Sequence, residues 1–232
     1  MEAGGPAAGM PRRPGHGRRV QVRDFGIVLL LVLASACFQV AAPEAGWARL
    51  VTVLFGAAIL FAAVWAGRAE RLLARVAAAA AALLAVLAAL YFAVDGTVPA
   101  LLGALVNGLL VAFAPVVIAA AIVRNVRETG AVKLPTLSGV LAIYLLIGMF
   151  YSFLYAAIQA AGDGDFFAQV ANPERSDFLY FSYITQSTTG YGDFTPADDL
   201  GRMLAVTEAL FGQIYLVTIV ALIVANLRPR PR

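Results

Sequence analysis

The chain has 232 residues, of which 61% are apolar and only 13% charged, with a net charge of +3; its mean hydropathy is +0.82. These values exclude a soluble globular domain and place the chain among membrane proteins. A single cysteine, Cys37, excludes an intrachain disulfide, and with a single histidine, His16, no metal cluster is spelled out.

Residues 1–19, rich in Pro, Gly and Arg, are expected to form a disordered tail. A run of about 20 apolar residues crosses a hydrocarbon core of roughly 30 Å. Six segments have that character: 25–42, 47–66, 76–94, 98–123, 137–160 and 200–227. The first follows several arginines and contains Ala34-Ser35-Ala36-Cys37, a pattern similar to a cleavable signal peptide. Its apolar run continues through Phe38 to Ala42, which favours a first transmembrane helix instead.

Of the 17 lysines and arginines, all but Arg49, Arg175 and Arg202 fall in the tails or in the loops after segments two and four. The positive-inside rule then puts both termini in the cytoplasm and the 161–199 loop outside. Residues 20–131 hold the first four segments. A voltage sensor needs basic residues at every third position within a span, each charge contributing about 2.3 kcal/mol per 100 mV. Segment 98–123 has none, and Arg124 and Arg127 begin only beyond it. The alanine run 77–82 reads as close helix packing.

Residues 132–227 form a second unit. After segment 137–160 and a loop comes a short helical stretch, 176–186, for which Ser176 and Asp177 are suitable N-caps. Its C-terminal end carries partial negative charge that favours a cation. Thr188-Thr189-Gly190-Tyr191-Gly192-Asp193 follows, then segment 200–227. Glycines at 190 and 192 permit backbone angles closed to residues with a Cβ.

This order of span, short helix, Thr-Thr-Gly-Tyr-Gly-Asp and span resembles the pore unit of bacterial six-transmembrane potassium channels of the pore-loop family. The resemblance covers residues 134–227 and includes Asp193, Pro196, Arg202 and Glu208-Ala209-Leu210-Phe211-Gly212-Gln213. It implies an all-α membrane protein of six transmembrane helices, with a re-entrant pore helix and selectivity-filter loop between the fifth and sixth. It further implies that the carbonyls of Thr188, Thr189, Gly190 and Tyr191, with the Thr188 hydroxyl, replace the water shell of K+, and that Gly192 completes the strand. Tyr180, Phe181, Asp193 and Glu208 would support the filter. Gly212 would be an inner-helix hinge or, alternatively, a close-packing position.

Three positions depart from the family pattern. Thr189 stands where Val or Ile is commoner, but only its carbonyl would face the ion. Phe181 stands where several members carry a tryptophan that bonds the filter tyrosine. Ile184 stands where some place a glutamate beside the filter aspartate. The last two changes remove polar braces behind the filter. Outside, Asp163, Asp165, Glu174, Asp177, Asp193, Asp198 and Asp199 form an acidic surface able to concentrate cations or simply to stay solvated. Glu208 is the acidic residue well inside a span, and such residues are usually paired or functional. Alignment on the filter turns its face toward Thr185 and Ser187, as a brace or as a proton-dependent element.

One pore loop per chain, and a carbonyl ring that needs four, imply a homotetramer in the bilayer. The expected partners are three further copies and lipid, with no nucleic acid. There is no catalytic constellation, no P-loop and no expected cofactor apart from K+ as permeant ion. The expected function is passive K+ conduction without voltage gating, in the inner membrane. The alternatives are a weakly selective cation channel or a non-conducting membrane anchor. Residues 228–232 are too few for a gating domain, so the gating stimulus is not legible there.

Overall fold

The computed structural model describes residues 25–67, 99–129 and 134–226, plus isolated positions between 82 and 90. The 1–19 tail, the 228–232 tail and most of the 76–94 segment lie outside the described residues. The described elements are α1 (Phe25–Ala41), α2 (Gly46–Gly67), α3 (Ala100–Thr129), α4 (Leu134–Ala161), α5 (Arg175–Gln186) and α6 (Asp199–Asn226).

Among the described residues, α2, α3, α4 and α6 each contain a stretch long and apolar enough to cross a membrane. Helix α1 is equally apolar but shorter, at 17 residues. Each helix agrees with its hydropathic segment to within a few residues, apart from α3. That helix runs on to Thr129 and carries Arg124 and Arg127 on its last turns. Hydropathy marks where apolar chain ends, whereas a helix ends where its backbone bonds end. Arg124 uses this extension to donate to the Gly67 carbonyl at the end of α2. Pro115 lies inside α3, where its ring removes one backbone bond.

Helices α1 and α2 pack on each other, α2 on α3, and α3 on α4. One apolar core joins them through Val28, Ile59, Leu60, Leu110, Ile118 and Leu146. Helix α6 differs. It meets α4 and α5 along one side only, and 11% of its spanning window is buried, against 50–56% for α2, α3 and α4. Met203, Val206, Leu210, Ile214 and Val217, spaced three and four apart, leave an apolar stripe uncovered within the single chain.

Helix α5 has 12 residues, or about 18 Å at 1.5 Å per residue, too short to cross a bilayer. It starts two residues earlier than a Ser176 cap would require. Glu174 is the N-cap, and Asp177 sits at the third helical position. The Asp177 carboxylate accepts the Glu174 N–H at 2.8 Å. Asp177 is therefore the returning half of a capping box, not the cap itself.

The loop between α4 and α5 folds back over the segment that follows residues 188–192. Phe167 and Pro196 form an antiparallel bridge. Ala168 donates to the Thr195 carbonyl at 2.9 Å and Ala197 to the Phe166 carbonyl at 2.8 Å. Beneath this pairing lies a second core of Tyr151, Tyr155, Phe166, Phe167, Phe178 and Phe181. Tyr155 and Phe166 have ring centroids 5.0 Å apart, Tyr155 and Phe181 5.3 Å, and Phe167 and Phe194 5.1 Å. Tilted and edge-on pairs of this kind add about 0.5–1.5 kcal/mol each beyond area burial. They tie the 194–197 segment to α4 and α5.

Candidate functional site

The 188–192 segment leaves the end of α5 with its backbone hung on the last helical turn. The Thr188 N–H donates to the Thr185 carbonyl at 2.9 Å, and those of Thr189 and Gly190 to the Ile184 carbonyl at 2.9 and 3.1 Å. Three of the five residues have positive φ: Thr188 at 57°, Gly190 at 50° and Gly192 at 79°. They alternate with Thr189 and Tyr191, which do not. A backbone that alternates in hand is able to turn successive carbonyls toward one side. Glycine supplies that geometry at 190 and 192. Thr188 adopts it despite its Cβ, which the glycine pattern gave no reason to expect.

The segment is uncovered within one chain, and the Tyr191 ring is 71% exposed. Thr189 and Ser187 hydroxyls lie 2.9 Å apart. Behind the segment, the Tyr180 hydroxyl donates to Asp193 Oδ2 at 2.7 Å. That bond pushes the Tyr180 phenol up to about 12, because ionisation would lose it. Phe181 makes no polar contact and is buried against Tyr155, Phe166 and Phe167. The brace lost at Phe181 and Ile184 is thus complemented by a different one, from Tyr180 to Asp193.

The seat of α5 is set by two close approaches. An added Cβ at Gly148 of α4 would run into the Gln186 side chain and lie 2.7 Å from Tyr183 Cδ1. One at Gly212 of α6 would run into the Gln186 carbonyl oxygen and lie 2.8 Å from Gln186 Cγ. The geometry at Gly212 is that of close packing. Gln186 Nε2 donates to the Tyr144 carbonyl at 2.8 Å, and the Tyr183 hydroxyl to the Leu145 carbonyl at 3.0 Å. The C-terminal end of α5 is therefore wedged between α4 and α6.

Glu208 is fully buried. It faces α5, as alignment on the filter requires, but not Thr185 or Ser187. Its partners are Tyr155 of α4, whose hydroxyl donates to Oε2 at 2.7 Å, and Ser182 of α5, whose Oγ touches Oε1. The outer carboxylates also have local tasks. Asp198 caps α6 by accepting the Gly201 N–H at 2.7 Å, Asp199 pairs with Arg202 at 3.3 Å, and Asp165 accepts the Asn172 N–H at 2.9 Å. Asp163 is solvent-exposed.

The contact least visible in the sequence is Arg175, at the first turn of α5. Its guanidinium donates to Thr52 Oγ1 of α2 at 3.2 Å and to the carbonyls of Ala42 and Pro43 at 3.3 Å each. Nε lies 3.5 Å from Glu44. Burial pulls its proton affinity below the ordinary arginine value, and Glu44 opposes that shift. One side chain ties the α1–α2 turn and α2 to the start of α5.

Residues 139–228 match the sequence model of a family described as "Ion channel". The chain is 52% identical over 46 residues to "Probable potassium channel protein 2" of Methanocaldococcus jannaschii, a match spanning 18% of this chain and 13% of that protein. It is 30% identical over 102 residues to "Protein LctB" of Bacillus caldotenax, spanning 41% of this chain and 75% of that one. No solved structure matches significantly. The short helix α5 is wedged between two long apolar helices, the exposed 188–192 segment follows it, and the family match makes the chain a channel protein rather than an enzyme. The chain belongs to the ion-channel family.

Proposed function

We propose that the chain is one subunit of a homotetrameric channel that conducts K+ passively through a ring of four 188–192 strands. The observation that carries this reading is the alternation of backbone hand at Thr188, Gly190 and Gly192, a backbone able to align the carbonyls of Thr188, Thr189, Gly190 and Tyr191 on one side. Carbonyl rings of that kind exchange for an ion's hydration shell. A single strand has carbonyls on one flank only, and the uncovered stripe of α6 supports neighbouring copies around a common axis. In this reading α5 re-enters the membrane from outside without crossing it. Residues 20–131 form a four-span peripheral domain, and 132–227 the pore domain. The basic residues then leave both termini in the cytoplasm of a cell whose inner membrane holds the channel.

Helix α3 carries no basic residue between Ala100 and Arg124, so the membrane field has little charge to move and opening is not voltage-driven. The test is purified protein in liposomes. Uptake of K+ or its analogue Rb+ should exceed that of Na+, be blocked by Ba2+ and vary little with membrane voltage. Equal Na+ uptake would make it a weakly selective cation channel, and no uptake a membrane anchor. Mass measurement in detergent should give four copies; a conducting monomer or dimer would overturn the assembly.

A further inference from the structure

Three oxygen–oxygen contacts run from α4 through α6 and α5 and back to α4. The Tyr155 hydroxyl meets Glu208 Oε2 at 2.7 Å. Glu208 Oε1 meets Ser182 Oγ. Ser182 Oγ meets the Gly148 carbonyl oxygen at 2.6 Å. Contacts this short between oxygens each need a proton between them. Tyrosine supplies one and serine supplies one. A carbonyl and an ionised carboxylate supply none. An ionised Glu208 therefore leaves the chain one proton short: whichever way the Ser182 proton points, either Gly148 or Glu208 faces a bare oxygen lone pair. A Glu208 that carries a proton on Oε1 completes all three contacts in one direction, from Tyr155 to Glu208, and from Glu208 through Ser182 to Gly148.

The surroundings agree with a neutral acid. The titratable groups near Glu208 are Tyr144, Tyr151 and Tyr155 of α4 and Tyr183 of α5. All four are phenols, neutral at ordinary pH. On its own helix the nearby Thr207 hydroxyl is turned to the Leu204 carbonyl at 2.7 Å. Among the described residues no salt bridge is formed by Glu208, and a buried carboxylate without a cation is costly. Glu208, Ser182 and Tyr155 are all fully buried, out of contact with bulk solvent.

We propose that Glu208 works as a proton-bearing carboxylic acid, a positioning residue that clamps α5 between α4 and α6 through Tyr155, Ser182 and Gly148, and that loss of its proton releases the clamp and lowers conduction. The last clause rests on the conducting reading above. Its route is short. Ser182 lies in the turn before Ile184 and Thr185, whose carbonyls hold the N–H groups of Thr188, Thr189 and Gly190. When the chain loses its middle proton, Glu208 and Ser182 no longer both hold their partners. The last turn of α5, from which the filter hangs, then keeps the bonds of Tyr183 and Gln186 to α4.

Glu208→Gln is the decisive variant, because its amide donates where the acid O–H does and its carbonyl still accepts from Tyr155. Two measurements are made on full-length protein in liposomes. Difference infrared spectra of wild type against Glu208→Gln at neutral pH should show the carbonyl stretch of a protonated carboxylic acid, absent from the variant. Carboxylate bands in its place overturn the proposal. Rb+ uptake by wild type should fall severalfold and reversibly as pH rises through the alkaline range, whereas Glu208→Gln should conduct like neutral wild type at every pH. The same pH profile in both proteins overturns the release step. If neither conducts at any pH, the conducting reading fails while the infrared result still decides the proton. If Glu208→Gln does not assemble, the pH titration of the carboxylic-acid band in wild type alone gives the same answer.

Discussion

Replacing Gly212 by alanine separates a hinge from a packing contact. The new Cβ would meet the carbonyl oxygen of Gln186 and lie 3.1 Å from its carbonyl carbon. Both are backbone atoms at the end of α5, which cannot rotate away. Overpacking of this kind costs about 1–3 kcal/mol, and an immovable backbone puts it in the upper half of that range. Alanine in a helix interior recovers about 1 kcal/mol over glycine. The net loss is roughly 1–2 kcal/mol per chain, repeated at every copy in an oligomer. Gly108→Ala in α3 is the control, since its Cβ would meet only Phe153 Cβ at an ordinary 3.6 Å; it should be neutral or stabilising. The assay is the fraction of oligomer surviving a heating series by size-exclusion chromatography, with Rb+ uptake measured on the same samples. Gly212→Ala should lose oligomer at lower temperature than wild type, and Gly108→Ala should not. A Gly212→Ala channel with wild-type thermal survival and altered opening would refute the packing argument and restore the hinge.

Gly190→Ala should abolish Rb+ uptake while leaving assembly intact, because φ is +50° there and a left-handed residue with a Cβ costs about 1–2 kcal/mol in each strand; unchanged flux removes the filter assignment. Tyr180→Phe deletes the donor to Asp193 and should lower sustained uptake severalfold without changing oligomer mass, so wild-type uptake would show that the bond does not brace the strand. Arg175→Lys keeps the charge but cannot reach Thr52, Ala42 and Pro43 together. It should lose about 1.5–3 kcal/mol of anchoring for the charged bonds, read as faster proteolysis in the α1–α2 turn; a cleavage rate equal to wild type would show that the fork holds nothing.

Some of the site was legible because its physics is local in the chain. Hydropathy over twenty residues located α2, α3, α4 and α6, since bilayer thickness acts on each span by itself. Positive φ at Gly190 and Gly192 was foreseeable from residue type, because glycine is where such backbone is cheap. A carboxylate inside a span, Glu208, advertised itself by the cost of putting it there. Asp177 was visible as a helix-start residue, but whether it caps or returns the bond depends on where within three residues the helix begins, and composition does not resolve that.

The rest depended on which atoms meet after folding. Glu208 could point along its helix face toward α5, yet one helical turn separates Thr185 from Ser182, and only the packing distance between α5 and α6 selects Ser182. Tyr180 and Phe181 are neighbours of similar size; the rotation of α5 gives one to Asp193 and the other to the aromatic core. Gly212 reads equally as hinge or contact until the Gln186 backbone is found against it. Arg175 bonds Ala42, 133 residues away, and no local pattern encodes a partner at that separation. The sequence alone thus determined the apolar membrane-crossing helices and the left-handed glycines at 190 and 192, because membrane insertion and glycine stereochemistry act residue by residue. Tertiary structure alone decided what holds that strand in place, because hydrogen bonds and steric contacts are settled by positions of whole helices to within a fraction of a helical turn.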